Sequence, residues 1–180
     1  MTTFDLKRRL AAELLGTAIL VATVVGSGVM ATRLTKDVGL ALLGNTLPTG
    51  AILVVLILIF GPISGAHFNP AVSLVMAQRT RMSWAEVVPY VAAQVIGGIL
   101  GSIVAHLMFD LAVWQASQTV RAGGAQWFAE FVATFGLVLT IFGVVRFRPD
   151  SAPVAVGLYI TAAYWFTAST SFANPAVAIA

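Results

Sequence analysis

Apolar runs about as long as a membrane-crossing helix alternate along the chain with short charged or polar breaks. Residues 11–32 form the first run, with Glu13 as its one acid before the basic break at Arg33. Residues 38–78 contain no Lys, Arg, Asp or Glu. A bilayer core takes about 20 helical residues, so this stretch holds one full span plus something shorter. Gly61, Pro62 and Gly65 interrupt it, which predicts a second span ending near Phe60 and a half-helix over 69–78. Further spans are predicted over 87–109, 126–145 and, shorter, 153–167. A loop of small polar residues follows, and a second half-helix begins at Asn174. The pattern predicts an all-α membrane protein with spanning helices plus two re-entrant half-helices.

The runs also repeat. Ala12-Glu13-Leu14-Leu15-Gly16-Thr17 opens the first span, and Ala129-Glu130-Phe131-Val132-Ala133-Thr134 opens the fourth. Each is followed by another span and then by Asn-Pro-Ala, at Asn69-Pro70-Ala71 and Asn174-Pro175-Ala176. The first repeat covers about 10–110 and the second about 126–180 of one channel domain, 1–180. An odd number of spans separates the two openings, so the repeats have opposite topology. Paired short segments in inverted halves point to a shared site at the midplane. The first half-helix is followed by a full span. The second should be too, so the chain reads as C-terminally truncated, with the sixth span absent.

Composition narrows the classes. The 180 residues are 59% hydrophobic and 9% charged, with a mean hydropathy of +0.94. A soluble domain carries about 25% charged residues. With no cysteine, disulfides and thiolate metal sites are excluded. Apart from Lys7-Arg8-Arg9 the basic residues stand singly between apolar runs, which argues against nucleic-acid binding. Seven of them (Lys7, Arg8, Arg9, Arg79, Arg81, Arg146, Arg148) fall on the N-terminal side of the bilayer and three (Arg33, Lys36, Arg121) on the other. That bias predicts a cytoplasmic N-terminus in the plasma (inner) membrane. The first run is too long for the core of a cleaved signal. The two histidines are far apart, and no Ser-His-Asp or metal-ligand grouping exists. No enzyme, metal or cofactor is expected.

Asn is a favoured N-cap and Pro a favoured first helical residue, so Asn-Pro-Ala reads as a helix start. Irregular backbone survives at membrane depth only when buried in protein or lining a wet cavity. Two half-helices from opposite faces would meet at the midplane, each bringing about half a positive charge. The Asn oxygens would satisfy local backbone donors and leave their NH2 groups facing the lumen. A passing water or alcohol would offer its oxygen to both, while cations are repelled and the water wire is broken.

At this point the chain resembles the aquaporin and aquaglyceroporin (major intrinsic protein) family. The resemblance spans essentially all 180 residues and is most specific over 63–72, Ile-Ser-Gly-Ala-His-Phe-Asn-Pro-Ala-Val. Ala93-Gln94 with Gly97-Gly98 adds to it. The resemblance implies a six-helix pore per subunit, a homotetramer in the lipid bilayer, and passage of water or small neutral solutes. It also implies a narrow filter, where this chain departs from the family. The family's arginine after the second motif is replaced by Val177, and its large aromatic on the second span by Thr49. Ser171 takes a third position. The fourth is Ala162 counting back from Asn174, or Tyr164 counting forward from Gly157; the short second repeat favours Tyr164. A filter of Thr49, Tyr164, Ser171 and Val177 is wide and carries no fixed charge. In this it is similar to the arsenical-permeable aquaglyceroporins of bacterial arsenic-resistance operons. Glu13 and Glu130 are expected to accept hydrogen bonds from their own re-entrant loops, and His67 to fix its loop, with a gate as the alternative. A facilitative channel for polyols, arsenous acid and related metalloids, and water is the reading. A water-selective aquaporin, a secondary transporter and a non-conducting scaffold are the rivals.

Overall fold

The computed structural model describes residues 4–180, and its regular elements are all helical. In chain order they are α1 (Leu6–Leu34), α2 (Val38–Ser64), α3 (Pro70–Gln78), α4 (Trp84–Met108), α5 (Gly124–Phe147), α6 (Ala152–Phe166) and α7 (Pro175–Ile179). A single 3-10 turn, Pro149–Ser151, leads into α6. Helices α1, α2, α4 and α5 have 29, 27, 25 and 24 residues and are apolar enough to cross a membrane. At a rise of about 1.5 Å per residue even the shortest exceeds a hydrocarbon core of about 30 Å. The chain is thus a multi-pass integral membrane protein. Helix α6, at 15 residues, is short, as expected.

Local chemistry sets the boundaries. Asp5 and Asp37 cap α1 and α2 by accepting from Arg8 N and Leu40 N at 2.9 and 2.8 Å. Ser83 and Glu86 form a reciprocal capping box on α4. The expected end of the second span near Phe60 needs correction, because α2 runs on to Ser64. Pro62 already has a helical φ and deletes only one bond near the end of the helix. The stop comes at Gly65, whose φ of 90° is left-handed and whose N–H closes the last turn on the Gly61 carbonyl.

Helix α1 packs against α4 and α2, α2 against α6, and α5 against α6. Two of these seams depend on glycine. A Cβ on Gly97 would overlap the Leu14 carbonyl, and one on Gly101 the Ala18 carbonyl, so α4 rides directly on the α1 backbone. Gly50 and Gly157 bring α2 and α6 together in the same way. The half-helices interleave the repeats: α3 lies on α4 and α5, α7 lies on α4, and α3 touches α7. Outward positions such as Leu58, Phe131, Phe135 and Leu158 are exposed and apolar, as a lipid-facing surface requires.

Candidate functional site

The two re-entrant loops, 65–69 and 170–174, have matching backbones. Ala66 and Phe68 have φ of 50° and 49°, and Ser171 and Ala173 have 51° and 47°. Left-handed φ at a non-glycine residue costs roughly 1–3 kcal/mol and persists only when the surroundings enforce it. Two carboxylates do so here. Glu13 is fully buried in α1. Its Oε1 accepts from Ser64 Oγ at 2.6 Å and His67 N at 2.9 Å. Its Oε2 accepts from Phe68 N at 2.7 Å and Gln94 Nε2 at 2.8 Å. Glu130 in α5 receives Phe172 N and Ala173 N at 3.0 and 2.7 Å. His67 Nδ1 lies 3.0 Å from Ser73 Oγ, which also accepts from Gln94 Nε2 at 3.0 Å. His67 is therefore tied into the Glu13 network and is also one of the residues lining the cavity. Neither Ser73 nor the buried role of Gln94 was anticipated from sequence. A polar pair at positions predicted to be interior is the signal that could have found them.

Asn69 and Asn174 cap α3 and α7, their Oδ1 atoms accepting from Ala71 N and Ala176 N at 2.9 and 3.0 Å. Pro70 and Pro175 take the first helical position of each. Ala71 and Ala176 follow, Ala176 fully buried. The amide nitrogens are not wholly free, and the sequence expectation is corrected here. Asn69 Nδ2 donates to the Ala173 carbonyl at 2.7 Å, and Asn174 Nδ2 donates to the Phe68 carbonyl at 2.8 Å. Each amide thus spends one N–H on the opposite repeat and has a second N–H that makes no further hydrogen bond among the described residues. The left-handed residues 68 and 173 aim the accepting carbonyls, so loop strain and cross-repeat bonding are one device.

Both asparagines line a cavity of about 150 Å³. Thr49, Tyr164, Ser171 and Val177 line the same cavity, whose remaining wall is mostly apolar. Tyr164 is buried, with its hydroxyl 3.4 Å from Thr49 Oγ1. Ala162, the other position counted from sequence, is exposed and is not among the residues lining the cavity. Thr49 Oγ1 donates to the Asn45 carbonyl at 2.9 Å. The Ser171 hydroxyl is buried and has no hydrogen-bond partner among the described residues. A second, wider cavity of about 1620 Å³ is lined in part by Arg9, Arg79, Arg81 and Arg146 and shares Gly65, His67 and Met76 with the first. Phe68 packs over Gly16 and stands edge-on to Phe60 at 6.0 Å.

Inverted repeats, two opposed half-helices capped by asparagine and a neutral cavity between them define a membrane channel for small solutes. The chain belongs to the major intrinsic protein family, whose model matches residues 1–180. Members of this family are channels rather than enzymes. The chain is 62% identical to the aquaglyceroporin AqpS of Rhizobium meliloti over 180 residues, all of this chain and 77% of that protein. It is 36% identical to aquaporin Z of Photorhabdus laumondii over 84% of this chain and 72% of the relative. A glycerol uptake facilitator protein of Streptococcus pneumoniae is 33% identical over 82% and 70% of the two chains. In fold, the crystal structure of the aquaglyceroporin from Plasmodium falciparum superposes with a TM-score of 0.78, covering 97% of this chain and 79% of that one at 24% identity.

Proposed function

We propose that this protein is a facilitative channel that passes glycerol-like polyols, arsenous acid and water down their gradients. One observation carries the reading: Thr49, Tyr164, Ser171 and Val177 share a cavity with both asparagines, and none is charged. A water-only filter needs a tight ring with strong donors. This ring has small or apolar side chains at three of its four positions. The unpartnered Ser171 hydroxyl can bond a solute hydroxyl as the carbon skeleton slides along the apolar wall. At the midplane the solute oxygen accepts the remaining N–H of Asn69 and of Asn174. The helix N-termini behind those asparagines disfavour cations. The family's aquaglyceroporin and glycerol-facilitator members, named above, support the polyol assignment. The basic bias of the N-terminal side supports a cytoplasmic N-terminus in the plasma membrane. A homotetramer is part of the same proposal.

The test is stopped-flow light scattering on proteoliposomes, with water, glycerol and arsenous acid compared in wild type and Val177→Arg. The wild type should pass all three. The arginine variant should keep water and lose the larger solutes by on the order of tenfold or more, as a charged, narrowed filter demands. A wild type that passes water alone would make the protein a water-selective aquaporin. Saturable, gradient-coupled uptake would make it a transporter. An inert Val177→Arg would remove Val177 from the constriction.

A further inference from the structure

Between Asp110 and Glu130 the chain carries a single charged residue, Arg121, in the connection from α4 to α5. Its side chain turns back over the loop that precedes α7. The guanidinium carbon lies 3.7 Å from the centroid of the Phe172 ring. Nη2 donates to the Ser169 carbonyl. Phe172 and its neighbour Ser171 line the cavity. Among the described residues no carboxylate pairs with Arg121; the ion pair present is Arg9 with Glu86, elsewhere in the fold. A cation with no carboxylate partner among the described residues thus stands on Phe172, beside a cavity whose lining carries no Lys, Arg, Asp or Glu.

We propose that Arg121 supplies from the connecting loop the positive charge that position 177 does not, and that it excludes cations and protons without narrowing the bore. The inference rests on the channel reading above. A cation in a low-dielectric mouth sets up a local potential that depletes like charges. Stacking on Phe172 and bonding to Ser169 hold the guanidinium against the wall. An arginine at 177 would project into the cavity itself, because Val177 lines it. The arrangement therefore separates two tasks: charge at the rim, width in the bore.

The test uses proteoliposomes of wild type, Arg121→Ala, Arg121→Lys and the pair Arg121→Ala with Val177→Arg. Glycerol permeability is read by light scattering. Proton and sodium leak under an imposed potential are read with entrapped dyes. Arg121→Ala should hold glycerol flux within about twofold and raise the leak on the order of tenfold, the lower end of such field effects. Arg121→Lys should stay near wild type in leak, since it keeps the charge. The double variant should restore exclusion and lose glycerol. An Arg121→Ala protein as tight to protons and sodium as wild type overturns the proposal. So does loss of glycerol flux with no added leak, which would make Arg121 a loop staple only. A wild type that passes no glycerol instead fails the channel reading, and the inference falls with it.

Discussion

Glu13 and Glu130 occupy matching places near the starts of α1 and α5, yet they are bonded to different degrees. Glu13 accepts from Ser64, His67, Phe68 and Gln94, whereas Glu130 accepts from Phe172 and Ala173. A buried donor left unpaired costs about 1–3 kcal/mol. Glu13→Ala strands four donors and should destabilise the protein by roughly 4 kcal/mol or more, with Glu130→Ala costing about half as much. Thermal unfolding in detergent orders the two, and equal midpoints would refute the assignment. Both acids stand out in the sequence, because an ionised group in an apolar run needs a reason. Arg121 was harder to see: its role depends on a loop folding back over Phe172, fifty-one positions later in the chain. No local periodicity encodes that.

The helices themselves follow from pattern and caps. Their seams follow from where glycine removes a side chain. Gly97 admits the Leu14 carbonyl, while Gly143 in α5 has nothing near where a Cβ would be. Gly97→Ala should therefore cost about 1–3 kcal/mol through overpacking. Gly143→Ala should be neutral or stabilise by up to about 1 kcal/mol through helix propensity. Detergent melting curves for the two variants check the contrast; a stable Gly97→Ala would mean the α1–α4 seam is looser than described. A cluster of glycines in an apolar run, here Gly97, Gly98 and Gly101, announces a close-packed face. Gly50 and Gly157 are isolated in the sequence, and only the crossing of α2 and α6 explains them. The misjudged end of α2 has a similar cause. Proline looks like a terminator from sequence, but near a helix end its missing N–H matters little, and Gly65 with its positive φ sets the stop.

Across the whole molecule the repeats are joined by a reciprocal clasp, Asn69 to the Ala173 carbonyl and Asn174 to the Phe68 carbonyl. Because each bond holds the loop that offers the other acceptor, the two should be coupled. Asn69→Ala and Asn174→Ala together should cost less than the sum of the single variants, by about 0.5–3 kcal/mol. A double-mutant cycle by thermal unfolding measures it, and strict additivity would show two independent caps. The sequence by itself determined the membrane class, the inverted repeat, the helix-starting asparagines and the neutral side chains proposed for the filter. Span length, N-cap chemistry and charge distribution are local properties, readable in order along the chain. The tertiary structure alone decided that Tyr164 rather than Ala162 lines the cavity, that each asparagine spends one N–H across the repeat, and that Arg121 stacks on Phe172. These depend on helix rotation, left-handed loop geometry and loop return, each set by contacts between residues far apart in the chain.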